Sequence, residues 1–136
     1  MPRANMQIMA LILVIDDDGF YLDVLRNVLT DEGHEVMLAQ GGVEGIALYQ
    51  DRQRGRRPDL VITDMRMPGI DGSDVIRNLR KFDSHARIIA VSGATTFYDI
   101  DFLRLAKDVG ANAILRKLDP MERIIVEVNA LLKSAA

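Results

Sequence analysis

The strongest constraint on the fold is a series of short apolar runs that alternate with segments of helical periodicity. The runs fall at residues 10–15, 36–39, 60–63, 88–91 and 113–116. Largely apolar runs of this length are typical of parallel strands that are covered on both faces. Between them, apolar residues recur every three or four positions, as on the buried face of an amphipathic helix. This alternation predicts an α/β domain in which helices cover both faces of a parallel sheet.

The helical segments and their ends complete the predicted topology. They are predicted at 20–32, 43–50, from 73, at 97–109 and from 120. Gly33 and Gly110 are predicted to close the first and fourth helices. Asp18 is predicted to cap the first helix, and Asp119 the last, with Pro120 at its first position. We therefore expect a flavodoxin-like, doubly wound, five-stranded parallel sheet of order 2-1-3-4-5 with five helices.

Length and composition indicate one domain, with a tail at 1–9 and the domain itself at 10–134. The 136 residues are 49% hydrophobic and carry a net charge of −3, which offers no electrostatic reason to expect nucleic acid or anionic membrane as a partner. The absence of cysteine excludes disulfides and thiolate metal sites. No apolar run approaches the roughly 20 residues that span a bilayer, so we expect a cytoplasmic protein. A solvated basic loop is expected at Arg52, Arg54, Arg56 and Arg57.

Acidic residues stand at the ends of two predicted strands. Asp16 and Asp17 follow the first strand, and Asp64 follows the third. The predicted strand order places these two strands side by side, so the three carboxylates should converge. A like-charged pair 4 Å apart costs roughly 4 kcal/mol at an effective dielectric of about 20, so a neutralising group is needed. Because His34 and His85 lie away from this edge, the available ligands are hard oxygens, which favour Mg²⁺.

Two further polar residues fall at the same edge of the predicted sheet. Ser92 follows the fourth strand and Lys117 follows the fifth, so a hydroxyl donor and a cation would face the acids. Taken singly, each has an ordinary explanation: Asp64 or Ser92 could be a turn residue, and Lys117 a solvated lysine. Together they favour phosphoryl chemistry, in which the Asp64 carboxylate is the nucleophile and the other two bind the incoming group.

At this point the sequence resembles the receiver domain of two-component response regulators, over residues 10–134. The motifs that carry the resemblance are Leu-Ile-Leu-Val-Ile-Asp-Asp-Asp at 11–18, Pro-Asp-Leu-Val-Ile-Thr-Asp-Met-Arg-Met-Pro-Gly-Ile-Asp-Gly at 58–72, Val-Ser-Gly-Ala at 91–94 and Gly-Ala-Asn-Ala-Ile-Leu-Arg-Lys at 110–117. The resemblance implies a stand-alone, chemotaxis-type regulator, a monomer or weak dimer, that is not an enzyme beyond assisting its own phosphorylation and dephosphorylation.

The resemblance also implies roles for individual residues. Asp64 would accept a phosphoryl group from a histidine kinase or histidine phosphotransfer protein. Mg²⁺ would be bound by Asp17, Asp64 and the backbone carbonyl of Arg66, with Asp16 acting directly or through water. The phosphoryl oxygens would be contacted by Ser92 and Lys117.

Three departures from the family pattern concern how the phosphorylated state is transmitted. Leu118 replaces a common proline, Ile114 replaces a common aromatic residue, and the segment from 92 to 110 is longer than usual. We therefore expect the face formed by strand four, helix four and strand five to change conformation on phosphorylation. This change would control binding of an unknown downstream protein. The apolar residues expected to form that surface are Phe97, Tyr98, Phe102 and Leu103.

Several alternatives remain open from the sequence. The chain could be a receiver excised from a longer protein, or a relay that passes the phosphoryl group onward. It could be a phosphorylation-independent binding module that keeps the fold. A haloacid-dehalogenase-like phosphatase is a further alternative, since Asp16 and Asp18 form an acid pair after the first strand. Phe20 stands where that family has Thr or Val, and the sequence offers no cap domain.

Overall fold

The computed structural model describes residues 9–51, 53, 55–93 and 104–134. Its strands form one parallel five-stranded sheet of order β2-β1-β3-β4-β5, which confirms the predicted topology. The strands are β1 Leu11–Ile15, β2 Glu35–Ala39, β3 Leu60–Asp64, β4 Ile88–Ser92 and β5 Ala113–Arg116. The central strands β1, β3 and β4 are buried along their whole length, as expected for strands covered on both faces.

The helices are α1 Gly19–Asp31, α2 Gly42–Gln50, α3 Gly72–Phe82, α4 (described at 104–109) and α5 Met121–Lys133. Alternate residues of β1 face different layers of the core: Ile12 packs with the helices α1 and α5, whereas Leu13 packs with α2 and α3. The sheet therefore lies between two helical layers, as predicted. Within the described residues, no helix combines the length and the apolar character needed to cross a membrane.

Two predicted helix ends are confirmed by the backbone. Gly33 and Gly110 have φ of 94° and 112°, the left-handed conformation that terminates a helix. The start of the predicted fourth helix lies outside the described residues. So do Phe97, Tyr98, Phe102 and Leu103, on which the predicted output surface depends.

The predicted caps have different outcomes. The Asp18 carboxylate accepts a hydrogen bond from the Phe20 amide at 3.0 Å, which confirms it as the cap of α1. The prediction for Asp119 is wrong, because α5 begins at Met121 and its N-cap is Pro120. Asp119 instead accepts from the Arg116 amide at 3.0 Å, so its carboxylate closes the turn after β5.

The basic loop before β3 is exposed at its described residues, and two of its arginines form ion pairs. Arg56 forms a 2.8 Å ion pair with Asp59, and Arg57 forms a 3.1 Å ion pair with Asp83. The Arg57 guanidinium also lies 4.7 Å from the centre of the Phe82 ring. Both arginines are exposed, so the solvated-loop prediction is confirmed for them. The end of α3 supplies the partners of Arg57, which the local sequence does not reveal, whereas Arg56 pairs with an acid three residues further along the chain. Arg52 and Arg54 lie outside the described residues.

Candidate functional site

The register of the sheet brings Asp16 and Asp64 to the same level. Ile15 of β1 pairs with Thr63 of β3, and each is followed directly by its aspartate. Asp16 then leaves the strand, with its amide donating to the Ala39 carbonyl at 3.0 Å, while Asp64 is the last residue of β3. The two carboxylates are therefore neighbours at the carboxyl edge of the sheet.

The same register places the hydroxyl and the lysine beside these acids. Asp64 pairs with Val91, so Ser92 lies one residue further along β4. Ser92 is fully buried, and its carbonyl accepts from the Lys117 amide at 2.9 Å. Gly93 makes room for the lysine stem, because a Cβ there would lie 3.0 Å from Lys117 Cδ.

Three carboxylates form an acidic cluster at this edge. One oxygen from each of Asp16, Asp17 and Asp64 lies within 4.8 Å of the others. Asp16 and Asp64 are 1% and 6% exposed, whereas Asp17 faces solvent. The convergence predicted from topology is therefore present, with two buried members and one exposed member.

Lys117 provides a positive charge to the cluster, but it lies closer to Asp16 than to Asp64. Its Nζ lies 2.6 Å from Asp16 Oδ2 and 3.6 Å from Asp64 Oδ2. The closer contact has hydrogen-bonding length, whereas the longer one is an ion pair without a good hydrogen bond. Asp64 thus keeps more of its charge uncompensated than Asp16 does. One weak local contact comes from the Arg66 amide, 3.4 Å from Asp64 Oδ1.

The electrostatics follow from burial and crowding. Burial, reinforced by the Asp16 charge, raises the pKa of Asp64 to about 6, although Lys117 and the Arg66 amide oppose the rise. Burial also raises the pKa of Asp16 against the opposing effect of Lys117. For Lys117, burial lowers the pKa, but the Asp16 bond and the Asp64 charge outweigh it and leave the pKa raised. The site therefore holds an excess of buried negative charge that a cation would relieve.

The donor set suits a hard cation. Among the described residues, the group formed by Asp16, Asp17 and Asp64 is the one cluster of acids or histidines spaced to hold a metal. His34 lies at the other edge of the sheet, where its Nδ1 accepts from the Ala10 amide at 3.1 Å. Carboxylate oxygens with no nitrogen or sulfur partner match the preference of Mg²⁺. Met65 and Met67 follow Asp64 closely in the sequence but are buried and pack in the core, so they do not belong to this donor set.

Two residues of the site were missed by sequence reasoning. A Cβ on Gly72 would lie 2.2 Å from the Asp64 carbonyl oxygen, so only glycine allows α3 to begin this close to the acid. Tyr21 lies under the lysine, with its ring centre 4.5 Å from Lys117 Nζ. A signal for Tyr21 was available: its spacing of four residues from Leu25 places it on the buried stripe of α1, at the end nearest Asp16.

Sequence comparisons connect this geometry to known proteins. The family model described as the response regulator receiver domain matches residues 12–129. Response regulator MprA of Mycobacterium sp. (strain KMS) is 35% identical over 123 residues, which cover 90% of this chain and 50% of that protein. Sporulation initiation phosphotransferase F of Bacillus subtilis (strain 168) is 30% identical over 100 residues, which cover 74% of this chain and 75% of that protein. The chain thus spans about half the length of the MprA relative.

Solved structures give the same result for the fold. A response regulator receiver domain protein from Clostridium thermocellum aligns with a TM-score of 0.83 at 31% identity, covering 93% of this chain and 97% of that one. NtrX from Brucella abortus aligns with a TM-score of 0.81 at 26% identity, covering 93% of this chain and 28% of that one. The first match extends over nearly the whole of both chains.

Proposed function

Because the chain belongs to the response regulator receiver domain family, we propose that it is the phosphoacceptor of a two-component or phosphorelay system and that Asp64 accepts the phosphoryl group. One observation carries the assignment to Asp64. Its buried carboxylate ends a central strand, next to two other acids and with Lys117 Nζ at 3.6 Å. Asp16 has its oxygens engaged by Lys117 and the Asp18 amide, which leaves Asp64 as the better nucleophile.

The proposed reaction is a displacement at phosphorus. An Asp64 oxygen bonds to the phosphorus atom while the bond from phosphorus to the donor's imidazole nitrogen breaks. The nitrogen keeps the electron pair and takes up a proton. Lys117 and Ser92 would bind the phosphoryl oxygens, Lys117 by charge and Ser92 by its hydroxyl.

Mg²⁺ is the proposed cofactor. The residues that would hold it are Asp17, Asp64 and the Arg66 backbone carbonyl, with Asp16 acting directly or through water. When bound, it supplies positive charge where negative charge gathers on the phosphoryl oxygens. Asp17 suits this role because it is exposed beside the two buried acids, so it can take up an ion from solvent.

The partners follow from the chemistry of the donor. We propose a histidine kinase or histidine phosphotransfer protein as donor, in the cytoplasm, and a downstream protein whose binding changes on phosphorylation. The relative called sporulation initiation phosphotransferase F supports a relay as a variant of this function. The chain's own chemistry would then be confined to gaining and losing the phosphoryl group.

Intact-protein mass spectrometry tests the proposal. After incubation with acetyl phosphate and Mg²⁺, the parent chain should gain one labile phosphoryl group, and Asp64→Asn should gain none. Asp23→Asn removes an exposed acid on α1 and should be phosphorylated like the parent. A folded parent chain that gains no phosphoryl group would favour the phosphorylation-independent binding module instead.

A further inference from the structure

A buried aromatic ring contacts the lysine of the site. Tyr21, in the first turn of α1, is 8% exposed, and its ring centre lies 4.5 Å from Lys117 Nζ. A cation within about 6 Å of a ring centroid is attracted to the negative face of the ring. The Lys117 side chain is itself only 17% exposed, so water screens this attraction weakly.

The hydroxyl of Tyr21 does not explain its position. Its oxygen is buried and has no hydrogen-bond partner among the described residues. Burial, followed by the charges of Asp16 and Asp64, raises the pKa of Tyr21, so the phenol stays neutral. A buried hydroxyl without a partner weakens a fold, so the contribution of Tyr21 lies in its ring.

The carboxylates that hold Lys117 change their state during the proposed reaction. Asp16, which bonds the ammonium at 2.6 Å, would share its charge with Mg²⁺ when the metal binds. Asp64 loses its free carboxylate when it is phosphorylated. The attraction of an aromatic face for a cation depends on neither event, because it arises from the fixed quadrupole of the ring.

We propose that the ring of Tyr21 is a positioning residue for Lys117, holding its ammonium within reach of Asp64 while the carboxylate partners change. This inference rests on the proposed function. In the unphosphorylated protein, the Tyr21 ring and the Asp16 carboxylate together hold the Lys117 ammonium in place. As the phosphoryl group arrives, the ring keeps Lys117 in place for its new contact.

Two variants separate the ring from the hydroxyl. Tyr21→Phe keeps the aromatic face, so the rate of phosphorylation by acetyl phosphate with Mg²⁺ should stay within about two-fold of the parent, whereas Tyr21→Leu should slow it about 3- to 30-fold. Rates are compared at equal concentrations of folded protein, measured by circular dichroism. Equal slowing by Phe and Leu would overturn the proposal, because the hydroxyl would then be the group that matters.

A double-mutant cycle with Lys117→Ala tests whether Tyr21 acts through the lysine. Without the ammonium, adding Tyr21→Leu should cause no further slowing. A purely structural role predicts the opposite, namely the same factor in both backgrounds. That result would overturn the proposal.

A measurement without phosphorylation keeps this inference separable from the proposed function. The ε-methylene protons of Lys117 should show an upfield ring-current shift in the parent and in Tyr21→Phe, and should lose it in Tyr21→Leu. No shift in the parent would overturn the positioning role even if Asp64 is phosphorylated normally. A shift in a parent chain that cannot be phosphorylated would instead overturn the proposed function, and the positioning role with it.

Discussion

The two edges of the sheet treat charged side chains in opposite ways. At the carboxyl edge, Asp16 and Asp64 are buried with raised pKa values and share one lysine. At the amino edge, Asp83 accepts hydrogen bonds from the Tyr49 hydroxyl, the Arg57 guanidinium and the His85 amide. Burial works to raise the pKa of Asp83, but these bonds outweigh it and lower the pKa. One edge stores electrostatic repulsion, and the other uses its charges to stabilise the fold.

Arg80 shows the same property of the amino edge. Its guanidinium donates to the carbonyls of Ser84, Ala86 and Gly110 and to the Asn112 side chain. These acceptors lie in the loops before β4 and β5, so one side chain at the end of α3 fixes two strand entrances. The charged side chains of the amino edge stabilise the fold, and this edge lies away from the proposed reaction. Their contribution allows the carboxyl edge to keep its electrostatic repulsion between buried acids.

The largest expected effect comes from breaking the amino edge at Arg80. Arg80→Ala should lower the free energy of unfolding by about 3 kcal/mol, since several hydrogen bonds worth about 1 kcal/mol each are lost together. Arg80→Lys should recover little, because an ammonium cannot reproduce the planar fork. Urea unfolding measures both. Arg77→Ala is the control, since that arginine is half-exposed and pairs only with Asp74 among the described residues. If Arg77→Ala lowered the free energy of unfolding as much as Arg80→Ala does, the special role of Arg80 at the amino edge would be refuted.

The next effect has the opposite sign and lies at the carboxyl edge. The pKa of Asp64 in the folded protein is about 6 against an ordinary 3.8, so the folded state binds more protons between these values. Stability should therefore fall as pH rises from about 4 to about 6, and above pH 6 the full cost remains. Asp64→Asn removes this cost and should stabilise the metal-free protein at pH 7 by about 1–3 kcal/mol.

Asp83→Asn is the matched control at the other edge. Because the folded pKa of Asp83 is lowered, its stabilisation is present above its unfolded pKa and is lost on acidification. The variant should therefore be less stable than the parent at neutral pH. Thermal unfolding from pH 4 to pH 7 measures both substitutions. If both substitutions changed the unfolding temperature in the same direction at pH 7, the contrast between the two edges would be contradicted.

A steric change at the carboxyl edge should have a smaller effect. Gly72→Ala places a methyl group 2.2 Å from the Asp64 carbonyl oxygen, so the backbone at the start of α3 must move. We expect a loss of about 1–2 kcal/mol, within the range for overpacking, and slower phosphorylation because Asp64 is displaced. Gly19→Ala is the control, since a Cβ there meets nothing within 4 Å. An unchanged phosphorylation rate in Gly72→Ala would show that the position of Asp64 tolerates the shift.

The smallest effect distinguishes two adjacent acids. Asp18→Ala should cost about 1 kcal/mol of stability as a lost N-cap and leave Mg²⁺-dependent phosphorylation near the parent rate. Asp17→Ala should do the reverse, abolishing that phosphorylation with little change in stability, since Asp17 is exposed. Thermal unfolding and mass spectrometry on the two variants measure this. Loss of phosphorylation in Asp18→Ala would assign that acid a metal role.

Most of the fold could be predicted because its signals are local. Apolar runs, helical spacing and terminal glycines are properties of neighbouring residues, and they placed β5 at 113–116, the bounds that the structure gives. The convergence of Asp16 and Asp64 followed once the strand order was inferred. The prediction of Asp119 as a cap was wrong because two hydrogen bonds were possible locally. Its carboxylate could accept from an amide of the helix ahead or of the turn behind, and the local sequence does not show which is preferred.

The sequence by itself determined that acids, a hydroxyl and a lysine would stand at the ends of neighbouring strands. This was possible because a strand's apolar run and the residues that break it are consecutive in the sequence. Only the tertiary structure decided that Lys117 bonds Asp16 rather than Asp64, that Tyr21 lies under it, and that Arg80 joins two loops. Those contacts join residues distant in the chain. Their distances depend on how the helices and strands pack, and differences of about 1 Å decide which partner a charge takes.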